Sequence, residues 1–134
     1  MDSRSNVVAY LTVKGGAEAI GFYEKAFGAK VAAKQLADDG KRILHADLEI
    51  NGGRIYLSDD FETGTGGTVA PTTLGGTTVT IHLETPEAET LWANAVKAGA
   101  TEVMPLKKQF WGSLYGRLRD PFGHSWSIGG PAAD

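Results

Sequence analysis

The sequence predicts an α+β fold built from two βαβββ modules in tandem. The main evidence is an internal repeat at an offset of 71 residues, in which Gly28-Ala29 returns as Gly99-Ala100. In each half, segments that alternate apolar and polar residues flank one segment of helical periodicity. A stretch rich in Gly and Thr separates the halves. We therefore expect one domain, with module one at about 6–59, a linker over 60–76 and module two at about 77–129.

The first module begins with an alternating strand and continues directly into a helix. Ile20, Tyr23 and Phe27 lie at helical spacing, and Gly28 stands where a left-handed cap would end the helix. The predicted elements are a strand over 7–13, a helix over 17–27, strands over 30–36 and 42–50, and a fourth strand that ends at Asp59. The buried face of the strand over 42–50 is expected to hold Leu44, Ala46, Leu48 and Ile50.

The second module repeats the same order of elements. A strand over 77–84 precedes Pro86, which suits the first turn of a helix, and the helix over 87–98 stops at Gly99. The module closes on a hairpin over 110–128, whose turn is the Asp-Pro-x-Gly sequence at 120–123. The 60–76 stretch carries Pro71 and is interpreted as a mobile loop.

Composition narrows the classes of function. The formal net charge is −3 and Cys is absent, so no broad basic surface for nucleic acid is expected, and disulfides and Cys-ligated zinc are excluded. The first residues lack the apolar core of a signal peptide, and no apolar run is long enough for a membrane span. We expect a cytoplasmic protein that binds neither nucleic acid nor membrane.

The two modules, Phe22-Tyr23 and Phe27-Gly28 of the first helix, and the segment 120–126 together resemble the glyoxalase / bleomycin-resistance / dioxygenase superfamily, also called vicinal oxygen chelate. Phe110-Trp111-Gly112 and Tyr115-Gly116 make the chain similar to the PhnB-like branch. The resemblance implies curved sheets around a cup and a homodimer. It leaves open whether the modules pair within one chain or across the dimer.

Metal-dependent members of this superfamily carry one ligand on the first and one on the fourth strand of each module. The resemblance maps these positions to Val8, Tyr56, Thr80 and Ser127. An apolar side chain, a phenol and two hydroxyls are poor ligands for zinc, nickel or iron. We therefore expect no metal and no cofactor, although a relocated site built from His45, His82 and Glu49 or Glu84 is a conceivable alternative.

Strand alternation sends His82 to the face opposite the helix, where imidazole could act as a general base or orient a ligand. Tyr10 and His82 are expected to be rough symmetry mates, as are His45 and Tyr115. A histidine satisfied by a neighbour, or a solvated strand face for His45, is the structural alternative. His124 is expected to be structural.

Aromatic side chains offer flat surfaces on which a planar ligand could stack, and Arg117 could pair with a ligand's carboxylate or phosphate. Packing in the core or at a dimer seam is the alternative for Trp111, and packing is expected for Trp92 and Trp126. The candidate ligand-binding residues are Tyr10, His45, Tyr56, His82, Trp111, Tyr115 and Arg117.

The sequence leaves three possibilities open. The first is a metal-independent protein of bleomycin-resistance type that binds a flat or aromatic small molecule. The second is a lyase, isomerase or dioxygenase of the same superfamily that uses a metal or His82. The third is a dimeric module with no small-molecule ligand, in which the aromatic residues only pack. A serine hydrolase is not expected, because the sequence has no Gly-x-Ser-x-Gly motif.

Overall fold

The computed structural model describes residues 6–61 and 69–132. These residues form eight strands and three helices, and apart from the short helix between the modules their order is the one predicted. In chain order they are β1 (Ala9–Val13), α1 (Gly16–Phe27), β2 (Lys30–Leu36), β3 (Ile43–Ile50), β4 (Gly53–Asp59), α2 (Pro71–Leu74), β5 (Thr80–Glu84), α3 (Ala88–Ala98), β6 (Thr101–Lys108), β7 (Ser113–Arg119) and β8 (Ser125–Pro131).

The strands form two four-stranded mixed sheets of identical topology. The first sheet has the order β1-β4-β3-β2 and the second has the order β5-β8-β7-β6. In each sheet the first strand of the module pairs in parallel with its last strand, and the remaining pairs are antiparallel. The shared topology confirms the predicted duplication, and the two sheets are not closed into one.

Asp59 ties the start of α1 to the first sheet. Its Oδ1 accepts hydrogen bonds from the backbone N–H groups of Gly15 and Gly16 at 3.0 and 2.9 Å, and its Oδ2 accepts one from Ile43 at 2.7 Å. A carboxylate at this position satisfies donors that a helix N-terminus leaves without intrahelical partners. The helix ends, as predicted, at Gly28 in the left-handed conformation.

The two modules share one core, which lies on the helix-covered faces of both sheets. Helix α1 packs against α3 and against strands β3 and β4 of its own sheet. Its Tyr23 and Phe27 rings also contact Trp126 of β8, with centroids 5.4 and 4.6 Å apart. Trp126 is fully buried, as expected, so an aromatic cluster joins the modules.

Two side chains at turns reproduce the symmetry of the modules. Asn51, at the turn between β3 and β4, donates its Nδ2–H to the carbonyl oxygen of Glu84 at 3.0 Å. His124, after the turn between β7 and β8, lies with its Nε2 2.9 Å from the carbonyl oxygen of Thr12. Each module thus holds the end of the other's first strand, and His124 takes the structural part expected of it.

Three details differ from the sequence predictions. Leu44 is exposed, because an irregularity in the pairing of β2 with β3 gives its expected core position to Ile43. Strand β5 begins at Thr80, three residues after the predicted start at residue 77, and Val79 before it is exposed. Part of the predicted linker is the short helix α2, which the Asp60 carboxylate holds through Ala70 and Thr73, whereas residues 62–68 lie outside the described part of the chain.

No helix in the described residues is both long enough and apolar enough to cross a membrane.

The buried Tyr23 hydroxyl should make stability fall at alkaline pH. Burial, reinforced by the charge of Asp120, raises the pKa of Tyr23 well above its usual value of about 10. Above pH 10 the unfolded chain therefore releases a proton that the folded chain retains, so the free energy of unfolding falls as pH rises. The slope from this one group reaches about 1.4 kcal/mol per pH unit. Urea denaturation between pH 8 and 11 should show that the free energy of unfolding falls more steeply with pH for the wild type than for Tyr23→Phe. Equal slopes for the two proteins would contradict this.

Candidate functional site

The strongest candidate site is a pocket on the helix-free face of the second sheet. Leu83 points from β5 into the core, so its neighbours His82 and Glu84 point to the opposite face. The pocket has a volume of about 480 Å³, which falls within the range of small-molecule sites. Its lining residues are Thr80, His82, Glu84, Trp111, Ser113, Leu114, Tyr115, Ser127 and Gly129.

His82 links two other polar side chains in this pocket. Its Nδ1 lies 2.7 Å from the Oγ of Ser127, and its Nε2 lies 2.8 Å from the Oε1 of Glu84. An ionised carboxylate can only accept, so Nε2 carries the proton that is donated to Glu84. In the neutral imidazole Nδ1 is then the acceptor, and the Ser127 hydroxyl donates to it.

Gly129 makes room for this arrangement. A Cβ atom at this position would lie 3.0 Å from Cε1 of His82, 3.0 Å from the carbonyl oxygen of Leu114 and 3.2 Å from Oε1 of Glu84. These distances are tighter than ordinary van der Waals contact, so a larger residue at 129 would press on both side chains. The glycine therefore belongs to the site, although it carries no functional group.

Aromatic rings form one wall of the pocket. Tyr115 stacks on His82 with ring centroids 5.9 Å apart and planes inclined by 21°. Trp111, in the turn between β6 and β7, meets Tyr115 edge to face at 6.2 Å and remains 53% exposed. Its neighbour Phe110 is 97% exposed. The wall thus offers the Trp111 and Tyr115 rings to a ligand.

Arg117 places a positive charge beside the pocket. Its Nη2 donates to the Oγ1 of Thr80 at 2.6 Å, and Thr80 also contacts the hydroxyl of Ser125 at 2.9 Å. His82 pairs with Ser127 across β5 and β8, and Ser127 pairs with Arg117 across β8 and β7. Because directly paired residues point to the same face, these three side chains form one row across the sheet.

A second aromatic cluster occupies the helix-free face of the first sheet. The Tyr10 hydroxyl contacts Nδ1 of His45 at 2.8 Å, and Tyr56 meets both rings edge to face. Arg54 lies over the Tyr56 ring, 5.5 Å from its centroid, and 4.0 Å from the carboxylate of Asp47. This cluster resembles the His82 and Tyr115 pair in composition, since each module contributes a tyrosine and a histidine.

The seven candidate residues therefore fall into two groups. His82, Trp111 and Tyr115 line one pocket, with Arg117 joined to it through Thr80. Tyr10, His45 and Tyr56 form the cluster on the other sheet. Tyr10 contacts His45 on the first sheet as His82 contacts Tyr115 on the second, which fits the expectation that Tyr10 and His82, and likewise His45 and Tyr115, are rough symmetry mates.

The contact between Ser127 and His82 was not predicted from the sequence, where Ser127 stood only as a former ligand position. Glu84 was grouped with His82, but as a possible ligand of a relocated metal site rather than as a hydrogen-bond partner. Alternation did place His82 and Glu84 on one face, and parallel pairing of the first and last strands of the module brings Ser127 beside them. Alternation therefore indicated the shared face, but the contact with Ser127 can be predicted only from the register between β5 and β8.

The donor set does not fit the divalent metal ion of the superfamily's metal-dependent members. The hydroxyls of Thr80 and Ser127 bond to Arg117 and His82, Tyr56 lies on the other sheet, and Val8 offers no donor atom. Residues 6–61 and 69–132 contain no group of three His, Cys, Asp or Glu suited to a metal. His45 and His82 stand on different sheets, so the conceivable relocated site is not assembled there.

Two mixed sheets of identical βαβββ topology, with a ligand-sized pocket on an open face, define a protein of the glyoxalase type. The sequence model of the Glyoxalase/Bleomycin resistance protein/Dioxygenase superfamily matches residues 4–128, and the chain belongs to that superfamily.

The chain is also similar to individual proteins. Uncharacterized proteins of Mycobacterium bovis and Mycobacterium tuberculosis are each 45% identical to it over 126 residues. The matched region covers 93% of this chain, 82% of the M. bovis protein and 74% of the M. tuberculosis protein. TioX from Micromonospora sp. ML1 superposes with a TM-score of 0.72 at 25% identity, covering 97% of this chain and 98% of TioX. A PhnB protein from Bacillus cereus, at 22% identity, has a TM-score of 0.67 over 94% of this chain and 99% of its own, and shares the fold.

Proposed function

We propose that this chain is a metal-independent small-molecule-binding protein of the bleomycin-resistance type, and that its ligand is flat or aromatic. The observation that carries the proposal is the pocket on the second sheet, where an aromatic wall stands beside a polar floor. Pockets of this kind bind ligands by apolar contact and use a few polar groups to fix orientation. The poor metal-donor chemistry of the family's ligand positions supports a ligand held by side chains alone.

Each wall of the pocket has a distinct part in this proposal. Trp111 and Tyr115 stack on the planar part of the ligand, since both rings present apolar faces with a polar edge. At the rim, the Oε2 of Glu84 accepts from donor groups of the ligand, and His82 holds that carboxylate in place through its Nε2. Arg117 pairs with a carboxylate or phosphate on the ligand, as guanidinium groups do with good geometry.

We propose that the protein works as a homodimer, in which the first-sheet cluster of Tyr10, His45 and Tyr56 supplies further ligand contacts. Support comes from exposed apolar side chains in both modules, such as Leu44 and Val79. Sedimentation velocity at micromolar concentration should give a dimer, and a monomer would overturn this part.

A thermal-shift screen of planar aromatic acids and amides tests the binding proposal. A ligand at 100 times its Kd stabilises the folded state by about 2.7 kcal/mol. Trp111→Ala should weaken binding of the best compound by roughly 10- to 100-fold, because a central aromatic contact is often worth about 2 kcal/mol or more. Phe110→Ala removes the exposed ring that packs edge to face on Trp111, with centroids 4.9 Å apart, and should weaken binding less than Trp111→Ala does.

Two results would contradict the proposal. In one, no planar compound stabilises the protein. In the other, Trp111→Ala binds the compound as tightly as the wild type does, which would place the ligand away from the aromatic wall.

A second candidate function is supported by the hydrogen bonds of His82. An imidazole held between a carboxylate and a hydroxyl is suited to proton transfer, which a His-based lyase or isomerase requires. This enzyme would lose turnover in His82→Ala while it retained ligand binding.

A further inference from the structure

We propose that Ser127 is a nucleophile, activated by His82 and positioned through Glu84, that hydrolyses aryl esters in the second-sheet pocket. The proposal rests on the proposed function, because the same aromatic wall would hold the substrate. It adds a covalent reaction and a substrate class that a binding protein does not need. Its basis is the continuous chain of hydrogen bonds from Glu84 through His82 to Ser127.

The geometry meets the requirements of an activated nucleophile. A base must lie within about 2.6–3.2 Å of the nucleophile, and a third group must orient the base. Both hydrogen bonds of His82 fall within this range. The Glu84 carboxylate fixes the proton on Nε2, which leaves Nδ1 free to take the proton of the serine hydroxyl.

The Gly-x-Ser-x-Gly motif, which this sequence lacks, belongs to one fold rather than to the reaction. Serine, histidine and acid constellations recur on unrelated folds and are recognised by geometry. Here the serine lies on β8, and the histidine and the acid lie two residues apart on β5. The parallel pairing of His82 with Ser127 brings the histidine beside the serine.

Arg117 is placed to stabilise the negative charge that develops during attack. It occupies the position paired with Ser127 on β7, on the side opposite His82, and its guanidinium reaches Thr80. A fixed positive donor beside the developing oxyanion is a large source of rate enhancement in such reactions. The attacked carbonyl would therefore lie above Ser127, with its oxygen toward Arg117.

The reaction uses water as its only co-reactant. The Oγ of Ser127 bonds to the ester carbonyl carbon as its proton passes to Nδ1 of His82. The bond between this carbon and the aryl oxygen then breaks, and the phenol leaves with that proton. Water adds to the acyl carbon, gives a proton to His82, and the acyl–Oγ bond breaks. Ser127 takes the proton back, and a carboxylic acid is released.

Burial restricts which esters can react. Ser127 is only 2% exposed and lies on the pocket floor, so a substrate must enter beside Trp111 and Tyr115 to reach it. Aryl esters match this entrance, because their rings can stack on the aromatic wall while the carbonyl descends to the serine.

Hydrolysis of 4-nitrophenyl acetate tests the proposal. The wild type should release 4-nitrophenolate in a burst followed by slower turnover, and intact-mass and peptide spectrometry should place one acetyl group on Ser127. Ser127→Ala should lose the burst and at least about 100-fold in rate. Ser58→Ala, which alters a serine of the corresponding last strand of the first module, should behave as the wild type.

Glu84→Gln tests the positioning role separately. The amide cannot fix the imidazole as a carboxylate does, so kcat should fall about 10-fold while KM and the melting temperature stay unchanged. Parallel changes in KM and melting temperature would point to a merely structural role for Glu84.

Labelling of the unaltered protein keeps the proposal testable if Ser127→Ala fails to fold. Phenylmethylsulfonyl fluoride should modify Ser127 and prevent the burst. Labelling of other residues only, or ester hydrolysis that survives Ser127→Ala, would overturn the proposal. If planar compounds still bind, the esterase proposal alone has failed; if neither binding nor acylation occurs, the proposed function has failed with it.

Discussion

Asp120→Ala is expected to lower the free energy of unfolding by about 3 kcal/mol or more. The reason is that the buried Asp120 carboxylate is a hub of hydrogen bonds, accepting four of them from residues of both modules. Asp120 is 4% exposed. Its Oδ2 accepts from the Tyr23 hydroxyl at 2.5 Å and from Nε1 of Trp126 at 2.8 Å. Its Oδ1 accepts from the backbone N–H groups of Phe122 and His124 at 2.8 and 3.0 Å. Removal would leave several donors without partners, at about 1–3 kcal/mol for each buried one.

Urea denaturation with two controls isolates this effect. Tyr23→Phe removes one of the four donors and should cost about 1–3 kcal/mol, as expected for a hydrogen bond to a charged group. Asp39→Ala removes a carboxylate that also accepts from backbone N–H groups, of Lys41 and Arg42, but in an exposed loop. It should change stability far less, and equal effects of Asp39→Ala and Asp120→Ala would refute the account of the hub.

Gly130→Ala is expected to destabilise the fold by about 3 kcal/mol, as overpacking of a rigid site does. A Cβ at this buried position would lie 1.9 Å from the carbonyl oxygen of Thr85, which is backbone and cannot rotate away. Thr85 is held in turn, since its N–H donates to the carbonyl oxygen of Gly129 at 2.9 Å. The close approach of these backbones joins β8 to the segment that leads into α3.

Gly21→Ala is the matched control for this substitution. Gly21 lies within α1, and a Cβ there would meet no atom within 4 Å. The change should stabilise the protein by up to about 1 kcal/mol, because alanine is the better helix former. Calorimetric melting of both variants measures the contrast, and a Gly130→Ala protein as stable as the wild type would contradict it.

The sequence predicts most of the fold because the two modules repeat and each element has its own local signal. The left-handed Gly28 cap and the buried Trp126 follow from local chemistry and from apolar periodicity. The exposure of Leu44 could not be predicted, because it results from an irregularity in the pairing of β2 with β3. The alternation of apolar and polar residues does not indicate that irregularity. Contacts between the modules, such as the hydrogen bond from Tyr23 to Asp120, join residues 97 positions apart and have no local signal.

The candidate site was predictable in part for the same reason. Alternation assigns His82 to an open face, and the aromatic residues of the last hairpin mark the wall of the pocket. The partners of His82 depend on the register between β5 and β8, which sequence patterns do not determine. The candidate ligand-binding residues fall on two separate sheets, and this division depends on how the sheets pack around helices α1 and α3.

The three histidines provide the most direct test of the central claim, that the second-sheet pocket binds a flat ligand without a metal. His82 lies in the pocket, His45 in the first-sheet cluster, and His124 at the contact between modules. The imidazole resonances of chelator-treated protein can be followed by NMR during titration with the planar compound that stabilises it most. A saturable shift of the His82 resonance is expected, with the His124 resonance unmoved. Binding that appears only after metal is restored, or that shifts His45 and leaves His82 unchanged, would contradict it.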